Sequence, residues 1–392
     1  MMSDEVDPMR DLGLTQDRQF ICEPVGLLTP ADPSRDLFEH FIPNGGHIYD
    51  IIEGYDLLTT LVLNSGNADN GALRYMAPFL KAFGATDYQV SKFFRDTTPL
   101  MPNADSMMRY LLDIMPVFLN SSLYEHAADA ICEMTGVPVL SAGSTEMELD
   151  EFAMTIGEMR EIRKIAREIA KIPTPSPNES HAIELNKEEV RIVSFLDDVF
   201  QNRFQGNAAA ELIHNTHSIG VSEKSYNLVD IRKNTQIDLD CMMYVGGENS
   251  DCQVLNLVSE SNGLSIAFNG TDVAVESSKV AVIADDCTVV TFLGSVFFDT
   301  GPQGVMDVVA DWNRDALAGF DAPDPNLRDR LLEMYPKELP EVYLIDESNS
   351  KSIAERSNVY RNKMIDKYRL RRAKVAGDSL SKAASKKKSR HD

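Results

Sequence analysis

Polar and acidic residues follow three apolar stretches of this 392-residue sequence, and these are the residues whose types and spacing could do chemistry. Glu23 follows the apolar run FIC, Asn120 and Ser121 follow VFL, and the segment 247–251 follows MMYV. Because the carboxyl ends of parallel strands meet at one edge of a sheet, we expect these side chains to lie close together. Carboxylates and hydroxyls gathered at such an edge are suited to holding a metal-bound phosphate.

The elements that would position these residues are short apolar strands that alternate with helices. From residue 220 onward, a plain β/α alternation predicts a parallel sheet that is covered on both faces. Strands are predicted within 18–28, 115–122, 238–247, 264–270 and 279–286. Helical periodicity dominates the long stretches between the first strands, which therefore read as insertions into an α/β fold.

These patterns divide the chain into an α/β core with helical additions. The predicted parts are an N-terminal extension (1–17), the core (18–34, 115–146 and 220–300), a helical cap (35–114), a second helical insertion (147–219), a C-terminal helical extension (301–370) and a basic, disordered tail (371–392).

Charge and cysteine content narrow the class of protein. The net charge is −23, but residues 361–392 carry twelve Lys or Arg and three Asp, so the preceding part carries −32. An acidic body of this kind disfavours nucleic acid as a partner, and the basic tail is either a solubilising or self-docking segment or a docking arm for an acidic surface. The sequence has five widely spaced cysteines, no secretory signal and no membrane-spanning apolar run, which predicts a cytoplasmic protein with reduced thiols.

Several blocks of the sequence resemble a known family. They are HFIPNGGHIYDIIEGYDLL, APFLKAFG, NSSLYEHA, GLSIAFNG and KVAVIADD. They resemble an archaeal group of the haloacid dehalogenase-like (HAD) superfamily from methanogens, which includes an accessory subunit R of an energy-converting hydrogenase. The resemblance implies a three-layer, Rossmann-like HAD core with a parallel sheet and a cap, and it suggests a hydrogenase-type or other methanogen assembly as a partner.

The resemblance also implies a role for each polar position. In active members the first strand ends in a nucleophilic aspartate, and a general acid and base follows two residues later. These positions correspond to Glu23 and Val25 here. The phosphate-binding hydroxyl and lysine correspond to Ser121 and Lys224. Magnesium ligands are expected after a later strand, at Glu248 and Asp251, but Gly247 replaces the usual first aspartate.

Three departures from the catalytic pattern predict that ordinary phosphatase activity is lost. A carboxylate misplaced by about 1 Å, as at Glu23, lowers a rate on the order of a hundredfold. A missing general acid, as at Val25, removes a further factor of roughly 10² to 10⁴. Gly247 leaves Mg²⁺ short of a carboxylate unless Glu248 replaces it. The sequence thus favours a pseudoenzyme that needs no cofactor and serves as a binding or accessory subunit.

Two other functions stay open at this point. One is a phosphohydrolase with rearranged ligands, in which Glu23 is the nucleophile and Mg²⁺ is held by Glu248 and Asp251. The other is a sensor that binds a phosphorylated small molecule without turnover.

The individual residues also have structural alternatives. Ser121 could cap a helix that starts at Leu123, Lys224 could be a solvated helix charge, and Asp251 could be stabilised by a helix dipole. The pair at 285–286 also follows a strand and could line the same cleft.

Overall fold

The computed structural model describes residues 17–63, 71–175 and 185–388, with side chains described up to 59, over 71–175 and over 185–372. The predicted N-terminal extension lies outside the described residues except for Asp17.

One seven-stranded sheet forms the centre of the described chain. Its order is β3-β2-β1-β4-β5-β6-β7, where all strands are parallel except β7, which runs antiparallel to β6. The strands are β1 (Gln19–Cys22), β2 (Val117–Tyr124), β3 (Ala142–Thr145), β4 (Met242–Gly246), β5 (Leu264–Phe268), β6 (Val280–Ile283) and β7 (Glu341–Leu344).

Helices cover the two faces of this sheet. One face is covered by α5 (Ala104–Ile114), α6 (Glu125–Thr135) and α13 (Thr288–Ala310), and the other by α10 (Val221–Thr235), α11 (Cys252–Glu260), α12 (Asp272–Glu276) and α16 (Ser350–Lys388). The remaining helices are α1 (Pro33–Phe41), α2 (Gly45–Leu63), α3 (Ala72–Ala82), α4 (Asp87–Thr97), α7 (Ile156–Ile169), α8 (Lys187–Asp197), α9 (Ala208–Asn215), α14 (Arg314–Gly319) and α15 (Pro325–Met334).

The central strand β1 explains why this sheet is buried on both sides. Phe20 and Cys22 belong to the larger hydrophobic cluster, whereas Ile21 belongs to the smaller cluster on the opposite face. Side chains alternate between the two faces of a strand, so an uninterrupted apolar run fits a strand that is covered twice. The predicted three-layer α/β fold with a mainly parallel, Rossmann-like sheet and helical insertions is confirmed.

The two helical insertions pack against each other. Helix α3 of the first lies against α7 and α9 of the second, and the rings of Tyr75 and Phe200 are 4.4 Å apart. The hydroxyl of Tyr55 donates to Asp197 at 2.7 Å. The predicted cap, 35–114, also supplies α5, which packs against α13 in the layer beside the sheet.

The first strand is shorter than the apolar run 18–28 suggests. Pro24 follows it, and its carbonyl accepts hydrogen bonds from the Leu28 and Thr29 amides at 2.7 and 3.0 Å, so the chain turns there. A proline lacks the amide that a central strand needs, which favours this early end.

The C-terminal part differs from the prediction in two ways. Residues 301–370 are predicted to be a helical extension with a Pro-rich interruption, but they contain β7, which pairs with β6 and extends the sheet. Residues 371–392 were expected to be a disordered tail, but α16 continues to Lys388, since alanine and lysine are good helix formers. The last four residues lie outside the described part. Among the described helices, none has the length and apolarity that crossing a membrane requires.

Candidate functional site at the switch point of the sheet

The strand order reverses at β1, which has β2 on one side and β4 on the other. Open α/β sheets bind ligands beyond the carboxyl ends of their strands at such a switch point. Glu23 and the residues 247–251 lie in the segments that leave β1 and β4, whereas the polar residues 120–122 lie within β2, which continues to Tyr124. The fold therefore gathers most of the polar positions singled out in the sequence at one edge.

Lys224 stands in the centre of this edge. It lies in the first turn of α10 and has no solvent-exposed surface. Its Nζ atom is 2.6 Å from Glu23 Oε2, 2.8 Å from Ser250 Oγ and 2.7 Å from Asp251 Oδ1. An ammonium group has three hydrogens to donate. All three of them are engaged by these protein acceptors.

Glu23 is held by hydrogen bonds to both of its carboxylate oxygens. The Val25 amide donates to Oε1 at 3.1 Å, and Ser122 donates to Oε2 from its amide at 3.0 Å and from its hydroxyl at 3.1 Å. Burial raises the pKa of Glu23, the Lys224 charge opposes this rise, and the nearby Asp251 adds to it. The Val25 side chain is buried and offers no proton at the position of the expected general acid.

Asp251 is likewise saturated. Its Oδ1 atom accepts from Lys224 and from the Tyr244 hydroxyl, and its Oδ2 atom accepts from the Gly247 and Glu248 amides, with the last three at 2.9 Å. The side chain thus closes the loop after β4, and no side-chain hydrogen bond from Asp251 caps α11. Burial, followed by the charge of Asp251, raises the pKa of Tyr244 well above its ordinary value.

The charge of Lys224 is strongly retained in this setting. Burial alone lowers the pKa of an ammonium group, but the adjacent Asp251 and Glu23 carboxylates outweigh it and raise the pKa of Lys224. The side chain of Asn120 fixes the start of this helix. Its Nδ2 atom donates to the backbone carbonyl of Lys224 at 2.9 Å, and its Oδ1 atom accepts from the side-chain amide of Asn227 at 3.2 Å.

The position of Gly247 has no room for a side chain. A Cβ atom there would stand 2.6 Å from the carbonyl oxygen of Phe268, which is backbone on the neighbouring strand. The Gly247 carbonyl also accepts from the Thr271 amide at 3.0 Å, so the loop is held in place on that side. An aspartate at this position would require a backbone shift.

Glu248 is drawn away from the cluster by the C-terminal helix. Its carboxylate forms an ion pair with Arg361 of α16, and Arg361 also donates to the Asn269 carbonyl at 3.4 Å. Burial acts to lower the pKa of Arg361, but the Glu248 charge outweighs it and the pKa is raised. Glu248 therefore lies at the rim of the site as the partner of an arginine.

The remaining predicted residues make other contacts. The Ser121 hydroxyl accepts from the Leu123 amide at 3.0 Å, and α6 begins at Glu125, two residues later than predicted. The pair at 285–286 does not reach the cluster through hydrogen bonds, because both carboxylates accept from the Tyr335 hydroxyl.

The donor set does not fit a magnesium ion. Mg²⁺ needs carboxylate oxygens that are free to coordinate. Those of Glu23 and Asp251 are occupied by Lys224 and by amides, and Gly247 contributes no carboxylate. Throughout the described residues, no group of three or more His, Cys, Asp or Glu is arranged to hold a metal ion.

Three residues of the site, Ser122, Tyr244 and Arg361, are not singled out in the sequence, and Ser250 is covered there only as part of the segment 247–251. Ser122 is adjacent to the predicted Ser121. Neighbouring side chains of a strand point to opposite faces of the sheet, and the sequence alone does not show which of the two serines points toward Glu23. Tyr244 lies inside an apolar strand, where its hydroxyl reads as core. Arg361 is 113 residues from its partner and carries no local signal.

Comparisons with known proteins bear on the fold. No family model and no curated protein matches the chain. The solved structure of gene product AF1437 from Archaeoglobus fulgidus is similar, with 18% identity, a TM-score of 0.71, and coverage of 89% of this chain and 97% of that one. A phospho-aspartyl intermediate analogue of phosphoserine phosphatase matches with 12% identity, a TM-score of 0.39, and coverage of 70% and 98%. The first likeness shows a shared fold, and the second is too distant to carry any chemistry to this chain.

Proposed function

We propose that this chain is a degenerate HAD-like protein that does not catalyse phosphoryl transfer and serves as a binding or accessory subunit. The observation that carries the proposal is the buried Lys224 ammonium, whose three hydrogens are all bound by Glu23, Ser250 and Asp251. A lysine in this state neutralises the protein's own carboxylates and has no hydrogen left for a phosphoryl group.

The state of Glu23 supports the same conclusion. A nucleophilic carboxylate must present one oxygen to phosphorus with little hindrance. Glu23 is fully buried, and its two oxygens together accept four hydrogen bonds. Val25 supplies no acid for the leaving group, so neither an available nucleophile nor a general acid is present at the expected positions.

The rival hydrolase would need two ion pairs to rearrange at once. Glu248 would have to leave Arg361, and Lys224 would have to release Asp251, before the two carboxylates could share Mg²⁺. The release of Glu248 would leave the buried Arg361 charge without its carboxylate partner, which is strongly unfavourable. This requirement favours the non-catalytic alternative.

The proposal is tested by phosphate-ester turnover. The full chain is assayed with p-nitrophenyl phosphate and acetyl phosphate, with and without Mg²⁺, beside the variant Glu23→Gln. We expect no Mg²⁺-dependent turnover from either protein. Turnover by the wild-type chain that disappears in Glu23→Gln would overturn the proposal and establish the rearranged hydrolase.

The sensor function is separated from it by ligand binding. Thermal unfolding of the chain is followed with increasing inorganic phosphate. A saturable rise of the melting temperature, absent in Lys224→Ala, would favour the sensor, because a ligand that binds the folded state stabilises it. We expect no saturable rise.

An accessory role implies a stable partner. The sequence resemblance points to a methanogen assembly of the hydrogenase type, and the archaeal protein of the same fold is compatible with an archaeal source. Affinity purification of the chain from its native cells, followed by sizing, tests this role. We expect a stoichiometric complex, and a chain that elutes alone at its own mass of 43.6 kDa would contradict it.

A further inference from the structure

The C-terminal helix α16 crosses from the sheet layer to the cap segment. Near its start, Ile353 and Ala354 are buried in the hydrophobic cluster beside α12. Farther on, the Ser357 hydroxyl donates to the Gly270 carbonyl at 2.8 Å, in the loop after β5. This part of the helix is thus fixed to the carboxyl edge of the sheet.

Arg361 lies one turn later, contacts the segments that follow β4 and β5, and approaches the loop after β1. It pairs with Glu248 after β4 and donates to the Asn269 carbonyl after β5. A Cβ atom on Gly26, in the loop after β1, would stand 3.4 Å from Arg361 Nη1. Arg361 is only 8% exposed, so it is buried between α16 and the strand ends of the sheet.

The next turns of α16 are attached to the first helix after β1. The Tyr368 hydroxyl donates to Asp36 Oδ2 at 2.6 Å, and Arg372 forms an ion pair with the same carboxylate at 2.9 Å. Arg372 also lies over the ring of Phe93 in α4, 5.5 Å from its centroid. Asp36 is buried, so this attachment is shielded from solvent.

We propose that residues 357–372 of α16 form a strap that holds the cap segment over the strand ends and controls access to the Lys224 cluster. Because Arg361 anchors the strap to the core and Tyr368 with Arg372 anchors it to α1, releasing either end exposes the Lys224 cluster. The inference goes beyond the proposed function, because it depends on the contacts of α16 and holds whether or not the Lys224 cluster supports turnover.

Hydrogen exchange of the full chain, read by mass spectrometry, tests the strap. The variant Arg361→Met keeps the apolar stem and removes the charge. The matched control is Arg356→Met, on the same helix, where the arginine pairs with Glu341 at the surface. We expect Arg361→Met to raise exchange in both segments 246–252 and 33–41 by at least about tenfold, and the control to leave both within about twofold.

A second variant approaches the strap from the cap end. Tyr368→Phe combined with Arg372→Met leaves the pair of Arg361 and Glu248 intact, and we expect the same two segments to respond. If Arg361→Met fails to fold, Glu248→Gln weakens the same contact and is expected to give the same pattern. A response confined to the mutated end would overturn the proposal, as would no response or an equal rise throughout the sheet. The hydrogen-exchange experiment uses no substrate, so its result does not depend on the phosphate-ester assay. Turnover in that assay would overturn the proposed function and leave the strap proposal unaffected.

Discussion

Glu23 and Lys224 lie 2.6 Å apart, from Oε2 to Nζ, although 201 residues separate them along the chain. Both side chains are fully buried at the centre of the sheet edge. A buried ion pair adds little stability relative to a well-packed apolar pair, but removing one partner is strongly destabilising because the other charge stays buried. Substituting one residue of the cluster should therefore cause a large and measurable loss of stability.

Replacing Lys224 with methionine should destabilise the protein severely. The change leaves Glu23 and Asp251 buried without a cation, and we expect a loss of about 3–5 kcal/mol in the free energy of unfolding. Urea denaturation followed by circular dichroism measures this loss. A change below about 1 kcal/mol would contradict a closed ion cluster at the site.

A control on the same helix separates charge burial from helix effects. Lys233 of α10 pairs with Asp230 at 2.9 Å, and both side chains are largely exposed. Lys233→Met should therefore change stability little, because exposed pairs contribute little. The double variant Glu23→Gln with Lys224→Met should recover part of the loss, since it removes one of the two unpaired carboxylates.

The stability difference between the wild-type chain and Lys224→Met should depend on pH at the alkaline end. The pKa of Lys224 is raised in the folded state above its ordinary value of 10.5, so the folded chain holds this proton after the unfolded chain has released it. The contribution of Lys224 is thus fully present below pH 10.5 and decreases as the pH rises further. Unfolding of both proteins, measured from pH 8 to 11.5, should give a constant difference that narrows only above about 10.5. A difference that already narrows at lower pH would contradict the raised pKa.

The sequence predicted the sheet better than it predicted the site. The β/α alternation after residue 220 located α10, β4, α11, β5, α12 and β6, because each strand is a short apolar run between clear turn signals. β7 was missed because four residues, half-buried on an edge, carry no strong pattern. The end of helix α16 was predicted too early, because its basic composition is also typical of disordered segments.

Within the site, the residue types in the sequence predicted which side chains take part, but the contacts between them could not be predicted. Glu23, Lys224 and Asp251 were all singled out, and the fold brings them together. That they saturate one another depends on distances set by elements far apart in sequence. The partner of Glu248 was unpredictable for the same reason, since Arg361 arrives on the last helix.

Ser122 should prove to be the hydroxyl of β2 that holds Glu23. Its hydroxyl donates to Glu23 Oε2 at 3.1 Å, and a hydrogen bond to a charged group contributes about 1.5–3 kcal/mol. We expect Ser122→Ala to lower the free energy of unfolding by about that amount and to raise the pKa of Glu23 further, because the carboxylate loses a donor. Urea unfolding and carboxyl ¹³C titration measure the two effects. The exposed Ser352, which bonds only its own helix turn at 2.9 Å, provides the control Ser352→Ala. Equal effects of the two substitutions would mean that Ser122 does not hold the carboxylate.

Gly247→Ala should destabilise the protein even though it adds a single methyl group. The new Cβ atom would stand 2.6 Å from the Phe268 carbonyl oxygen, and backbone cannot move aside as a flexible side chain can. Overpacking of this kind costs about 1–3 kcal/mol, which urea unfolding detects. Gly319→Ala is the matched control, because a Cβ atom there would meet nothing within 4 Å. If Gly247→Ala were as stable as the wild-type chain, the loop after β4 would have room for a side chain. The close approach of the Phe268 carbonyl to Gly247 would then no longer support the proposal of a non-catalytic site.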